Sequence, residues 1–145
     1  MPRPSFGSES APLILIVDDV EDTVLIYASF LEYRGFRTAT AGTATKALEI
    51  ATEQRPAVIV MDYALPGADG LSAARQLATD PATAHIPVIM LTGHVETVRP
   101  DTVRAAGARS LITKPCLPDV LEAEIRRLLA GDHGFRSMRG TPLPP

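Results

Sequence analysis

The sequence predicts an α/β fold in which a parallel sheet is covered by helices on both faces. Short strand-like runs alternate with stretches of helical periodicity five times along the chain, which is typical of such sheets. Three of the runs, at 13–17, 57–61 and 87–91, are continuously apolar, and two others, at 36–40 and 109–113, are more polar. Because central strands of a parallel sheet are buried on both faces, we expect the apolar runs at the centre and the polar runs at the edges.

The helices are predicted from apolar spacing together with start and stop residues. The first, within 20–35, places Val20, Val24, Tyr27 and Leu31 on one stripe and ends at Gly35. A second begins after Thr43, whose hydroxyl can cap it. The remaining helices are expected at 70–79, at about 99–106 and at 117–130.

This alternation predicts a flavodoxin-like (βα)5 doubly wound sheet with strand order 2-1-3-4-5. We assign one domain to residues 12–131, since 145 residues suit a single domain. Residues 1–11 and 132–145 are rich in Pro, Ser, Gly and Arg and are expected to be flexible tails.

Composition excludes several classes of protein. The net charge of −3 gives no electrostatic reason to expect a nucleic-acid partner. A single cysteine, Cys116, rules out an intramolecular disulfide and fits a reducing compartment. The apolar run at 13–17 is too short for a signal peptide or a membrane span, so we expect a cytoplasmic protein without a membrane partner.

Polar residues follow the predicted strands at the edge where such sheets bind ligands. Asp18 and Asp19 follow the first strand, Asp62 the third, Thr92 the fourth and Lys114 the fifth. Three converging carboxylates need a cation to offset their repulsion, and oxygen ligands favour Mg²⁺, with Mn²⁺ as a second possibility. A carboxylate beside such a cation can act as a nucleophile toward phosphorus.

The motifs that carry this chemistry also resemble a known family. They are VDD at 17–19, MDYALPGADG at 61–70, LTG at 91–93 and TKP at 113–115. Together they resemble the receiver domain of two-component response regulators, of the single-domain chemotaxis type. The resemblance covers about residues 12–130.

The resemblance implies a phosphoacceptor and a metal site. Asp62 would accept the phosphoryl group. Asp19, Asp62 and the backbone carbonyl of Ala64 would bind Mg²⁺ directly, and Asp18 would act through a metal-bound water.

It also implies roles for three further residues. Lys114 would pair with the phosphoryl group and with Asp62, and Thr92 would close on the phosphoryl group when it arrives. The Lys114–Pro115 peptide bond is expected to be cis, which is accessible only before proline.

Two positions depart from the family pattern. Leu111 stands where the family usually has Tyr or Phe, so either other residues carry the switch or signalling through this edge is muted. Pro100 does not suit the middle of a helix, so we expect a longer, mobile loop after Thr92.

The favoured function is a stand-alone receiver, not an enzyme acting on other substrates. It would take a phosphoryl group from a sensor histidine kinase or histidine phosphotransfer protein and signal by contact with an unknown downstream protein. Ile26 and Tyr33, on the outer face of the first helix, could form the kinase-docking patch. A phosphorelay shuttle or a phosphate sink is the alternative.

The sequence gives less support to two other functions. A magnesium-dependent phosphatase with an aspartate nucleophile would carry a D-x-D motif after the first strand, and residues 18–20 are Asp-Asp-Val. A degenerate receiver that serves only as an interaction module is disfavoured because every acidic and basic site residue is present.

Overall fold

The computed structural model describes residues 10–93 and 98–141. Its strands, all joined in one parallel sheet, are β1 (Leu13–Val17), β2 (Arg37–Ala41), β3 (Val58–Asp62), β4 (Val88–Thr92), β5 (Ser110–Thr113) and β6 (Arg136–Arg139). Its helices are α1 (Glu21–Tyr33), α2 (Ala44–Gln54), α3 (Gly70–Thr79), α4 (Pro100–Ala105) and α5 (Pro118–Leu129). The strand order β2-β1-β3-β4-β5-β6 confirms the predicted fold class and the predicted order of the first five strands.

The sixth strand corrects the prediction. β6 pairs in parallel with β5, so β5 is an inner strand rather than an edge, and part of the segment 132–145 that we assigned to a tail belongs to the sheet. The sequence of β6, RSMR, lacks the apolar run that marks the other strands, and most of its residues are exposed. Its pairing with β5 is made by backbone hydrogen bonds, which leave no signal in the sequence.

The alternating side chains of the strands build a hydrophobic core on each face of the sheet. In β1, Leu15 and Val17 pack on the face that carries α2, α3 and α4. Ile14 and Ile16 pack on the other face, against α1 and α5. Burial on both faces explains why the central strands are continuous apolar runs.

The helix starts follow the sequence signals in part. The Thr43 hydroxyl accepts the Lys46 N–H at 3.2 Å at the start of α2, as expected. Asp69 caps α3 by accepting the Ser72 N–H at 2.7 Å. Helix α4 begins at Pro100 and spans only six residues. The loop predicted between Thr92 and α4 lies largely outside the described residues, so its mobility stays a prediction.

None of the helices within residues 10–93 and 98–141 is long and apolar enough to cross a membrane.

Candidate phosphoryl-transfer site

Three carboxylates meet where β1 and β3 end. Asp18, Asp19 and Asp62 each offer one oxygen, and these oxygens all lie within 4.8 Å of one another. Asp18 and Asp62 are buried, whereas Asp19 is exposed. The cluster forms because β1 and β3 are parallel neighbours, so their carboxyl ends reach the same edge of the sheet.

The charge in this cluster is only partly compensated. Burial raises the pKa of Asp18, and the negative charges of Asp62 and Asp19 raise it further. The Val20 N–H, which donates to Asp18 Oδ1 at 2.9 Å, and the Lys114 ammonium act in the opposite direction without cancelling the increase. Asp18 therefore lies in a place where an added cation would be favourable.

Lys114 is the cation of the cluster. Its Nζ lies 3.0 Å from Asp62 Oδ1 and 3.7 Å from Asp18 Oδ2. Its backbone N–H donates to the Thr92 carbonyl at 2.7 Å, which ties the end of β4 to the loop after β5. The Lys114–Pro115 peptide bond is cis, as expected.

The remaining predicted residues lie around this centre. Thr92 ends β4 and is buried, beside Leu91, which pairs with Asp62 in the sheet. Ala64 is exposed two residues after Asp62. The structure thus brings the predicted residues to one edge of the sheet, and the individual roles of Ala64 and Thr92 stay predictions.

Gly70 shapes the loop that follows Asp62, a role that our sequence reasoning missed. The Gly70 N–H donates to the Tyr63 carbonyl at 2.7 Å and so closes the loop on itself. A Cβ atom at Gly70 would lie 2.2 Å from the Asp62 carbonyl oxygen, so only glycine fits without a shift of the backbone. The glycine that ends the MDYALPGADG motif was the available signal.

Leu111 lies on β5, and Cys116 lies in the loop that follows β5 and carries Lys114. Leu111 is buried in the core on the α2–α4 face and is paired in the sheet with Met90. The carbonyl of Cys116 accepts a hydrogen bond from the Tyr27 hydroxyl at 2.7 Å. Burial raises the pKa of the Cys116 thiol to about 11, so the reactive thiolate is disfavoured at neutral pH.

An apolar groove leads from helix α1 to the site. Ile26 is 59% exposed and Tyr33 is 70% exposed, as predicted for an outer face of α1. The groove is lined by Thr23, Ile26, Tyr27, Lys114, Pro115, Cys116 and Pro118. One end of a predicted docking patch therefore adjoins the lysine of the site.

Comparison with known proteins agrees with this geometry. The sequence model of the response regulator receiver domain matches residues 14–126. Protein PilH of Pseudomonas aeruginosa is 34% identical over 118 residues, which cover 81% of this chain and 98% of PilH. Response regulator PleD of Caulobacter vibrioides is 35% identical over 117 residues, which cover 79% of this chain but only 25% of PleD.

A solved structure gives the same result. The receiver domain of a sensor histidine kinase from Pseudomonas aeruginosa, which has a magnesium ion coordinated in its active-site cleft, is 25% identical with a TM-score of 0.77. The similarity covers 84% of this chain and 100% of that one. Family match, relatives and fold agree, and the chain belongs to the response regulator receiver domain family.

Proposed function

We propose that this chain accepts a phosphoryl group on the Asp62 carboxylate and passes the signal on by protein contact. The donor would be a sensor histidine kinase or a histidine phosphotransfer protein. The observation that carries the proposal is the contact of the buried Asp62 carboxylate with Lys114, inside a cluster of three carboxylates. The near-complete coverage of PilH supports a receiver that acts without an attached output domain.

The proposed step is an in-line transfer from phosphohistidine. An Asp62 carboxylate oxygen forms a bond to phosphorus, and the P–N bond breaks, so its electron pair leaves with the imidazole nitrogen. Phosphoryl transfer needs placement and positive charge more than covalent help from the protein. Lys114 is placed to offset charge on the transferring oxygens because its Nζ already lies 3.0 Å from Asp62 Oδ1.

The donor atoms fit Mg²⁺, with Mn²⁺ as a second possibility. Asp18, Asp19 and Asp62 offer three carboxylates within 4.8 Å of one another, and hard oxygen ligands suit these ions. We propose that Asp19, Asp62 and the Ala64 carbonyl hold the ion directly and that Asp18 acts through water. When bound, the ion supplies positive charge beside the acceptor.

The proposed chemistry is limited to the protein's own phosphorylation and dephosphorylation, so the chain would not turn over other substrates. We also propose a cytoplasmic location, which suits a protein whose one cysteine, Cys116, is a buried free thiol.

A phosphorylation assay tests the proposal. The protein is incubated with Mg²⁺ and acetyl phosphate, and the product is examined by intact mass and by its lability in alkali. We expect a single phosphoryl group on Asp62, absent from Asp62→Asn and retained in Asp69→Asn, a matched change at the exposed cap of α3. Absence of an adduct with acetyl phosphate and with kinases would favour a pure interaction module, and steady turnover of a phosphoester would favour a hydrolase.

We propose that the kinase or phosphotransfer protein docks on Ile26 and Tyr33. Replacing Ile26 by Asp puts a charge at the groove that leads to Lys114, so transfer from a phosphorylated kinase should slow about tenfold or more. Phosphorylation by acetyl phosphate, which needs no docking, should stay unchanged. Leu129→Asp, at an exposed position on α5, is the control. Equal rates of kinase-driven transfer in Ile26→Asp and wild type would exclude this docking site.

A further inference from the structure

The segment 132–141, which we call the C-terminal strap, runs beside the loop that carries Lys114. Its strand β6 pairs with β5 from Ser110↔Arg136 to Thr113↔Arg139. Lys114 directly follows the last residue of β5. The strap, which runs parallel to β5, therefore reaches the same edge of the sheet, where the carboxylates lie. The strap ends against residues 113–117.

Gly140 joins both ends of that loop. Its N–H donates to the Thr113 carbonyl at 2.9 Å, and its carbonyl accepts the Leu117 N–H at 2.9 Å. These two hydrogen bonds enclose Lys114, Pro115 and Cys116, so one residue of the strap fixes the start and the end of the turn that carries the lysine.

The contact leaves no room for a side chain. A Cβ atom at Gly140 would lie 2.3 Å from the Pro115 carbonyl oxygen, 2.4 Å from Cys116 Cα and 2.6 Å from the Thr113 carbonyl oxygen. All three are backbone atoms, which cannot move aside as a flexible side chain can. The position therefore requires glycine for close approach of two backbones.

The rest of the strap is anchored by other contacts. Arg127 Nη1 on α5 donates to the carbonyls of Asp132 at 3.0 Å and Gly134 at 3.1 Å. Phe135 packs against the core on the α2–α4 face, and Met138 packs against the core on the α1–α5 face. The strap is thus fixed to the body of the domain independently of Gly140.

The lysine loop is consequently held from two sides. The Tyr27 hydroxyl on α1 donates to the Cys116 carbonyl at 2.7 Å, and Gly140 holds Thr113 and Leu117 from the strap. The three carboxylates lie at the ends of β1 and β3, and the strap pairs with neither strand. A change in the strap should therefore reach Lys114 and leave the carboxylates in place.

We propose that the C-terminal strap is a positioning element for Lys114 and that Gly140 is its positioning residue. This inference rests on the proposed function, because it assigns the strap a part in phosphoryl transfer to Asp62. When Gly140 is hydrogen-bonded to Thr113 and Leu117, the turn between them places the Lys114 ammonium beside Asp62. When these two hydrogen bonds are broken, Lys114 samples positions in which its ammonium does not contact the transferring phosphoryl group.

Gly140→Val tests this proposal against Ser137→Val, which adds the same side chain at an exposed position of the same strand. A small misplacement of a catalytic group costs up to about 100-fold in rate, so we expect Gly140→Val to slow phosphorylation by acetyl phosphate about 10-fold or more. Affinity for Mg²⁺, measured by titration calorimetry, should not fall, because moving the ammonium away from Asp62 removes positive charge from beside the carboxylates. Ser137→Val should match wild type in phosphorylation rate and in Mg²⁺ affinity.

A second measurement does not depend on phosphorylation. Amide exchange at Leu117, read by NMR in the unphosphorylated protein, should become faster in Gly140→Val. Wild-type phosphorylation rates in a Gly140→Val protein whose Leu117 amide exchanges faster would overturn the positioning role. Equal losses of rate and Mg²⁺ affinity would also overturn it, because they would indicate general damage to the fold. Failure of wild type itself to form an adduct would instead reject the proposed function.

Discussion

Two acidic regions of this molecule differ in how their charges are compensated. At the ends of β1 and β3, two of the three clustered carboxylates, those of Asp18 and Asp62, lie within 4 Å of the Lys114 ammonium. On α5, the two buried carboxylates of Glu122 and Glu124 are served by four arginines, namely Arg34, Arg126, Arg127 and Arg136. The carboxylates at the strand ends thus outnumber their positively charged partner, whereas the two glutamates on α5 are outnumbered by their arginine partners.

Glu122 connects two helices. Its Oε2 accepts from Arg34 Nε on the loop after α1 at 3.0 Å and from Arg126 Nε at 2.9 Å. Burial alone would raise the pKa of Glu122, but the hydrogen bonds and charges of Arg126 and Arg34 outweigh it and lower the pKa. Arg126 also stacks over the Phe36 ring, 4.7 Å from its centroid.

Glu124 connects α5 to the far edge of the sheet. It pairs with Arg127 Nη2 at 2.6 Å, lies 3.8 Å from Arg136 Nη1 on β6, and accepts a hydrogen bond from the Ser110 hydroxyl on β5. Each of its partners belongs to a different part of the chain. A carboxylate whose charge is fully paired therefore holds elements of the fold together, whereas a cluster of carboxylates with too little positive charge favours binding of an added cation.

The largest loss of folding stability should come from removing a paired carboxylate on α5. Glu124→Ala leaves Arg127 and the Ser110 hydroxyl without their buried partner, and loss of one partner of a buried pair costs about 3–5 kcal/mol. We expect urea unfolding to show a decrease of this size. Asp19→Ala, which removes an exposed carboxylate, should change the free energy of unfolding by less than about 1 kcal/mol. Similar losses in the two variants would refute the distinction between the regions.

Added Mg²⁺ should stabilise the protein through the carboxylates at the ends of β1 and β3 and not through those on α5. Mg²⁺ at about 100 times its Kd should stabilise the folded protein by about 2.7 kcal/mol, because only the folded state brings the carboxylates together. Thermal unfolding with and without Mg²⁺ measures the effect. Glu122→Gln should keep the full increase, whereas Asp19→Asn should lose most of it. An increase that survives in Asp19→Asn would place the ion elsewhere.

Much of this arrangement could be predicted because the site lies on strand ends. The apolar runs locate β1, β3 and β4, and the residues directly after them, such as Asp18 and Asp62, must meet if the sheet is parallel. The exposed face of α1 with Ile26 also follows from helical periodicity, which places it opposite the apolar stripe. Each of these inferences needs only a local pattern and one rule of topology.

The missed features depend on contacts between distant parts of the chain. β6 has three polar residues and one methionine instead of an apolar run, and its pairing with β5 is made by backbone groups that every sequence has. The polar run 109–113 made β5 look like an edge strand, although the buried Ser110 hydroxyl is satisfied by Glu124 on α5. The need for glycine at position 140 arises from the approach of residues 113–116, which no local pattern encodes.

Removing the charge of Asp18 should give a smaller change in folding stability, and this change should be a gain. The raised pKa of Asp18 means that the folded state disfavours the ionised form, so ionisation lowers stability as the pH rises above the ordinary value of 3.8. Asp18→Asn keeps an oxygen acceptor for the Val20 N–H and removes the charge. We expect it to stabilise the metal-free protein at pH 7 by about 1 kcal/mol. Urea unfolding in a chelator measures this gain, and a loss of stability would contradict the assigned electrostatics.

The smallest expected change is in how the contribution of Glu122 to folding stability depends on pH. Because its pKa is lowered on folding, its ion pairs stabilise the protein above the ordinary value of 4.5, and this contribution is lost as the pH falls through the folded-state pKa. Arg34 and Arg126 are half exposed, so solvent screening should limit the contribution to roughly 0.5–1 kcal/mol. Urea unfolding of wild type and Glu122→Gln should differ by this amount at pH 7 and converge toward pH 3. A difference that persists at pH 3 would show that Glu122 acts through packing rather than charge, and the contrast with the site would then rest on Glu124 alone.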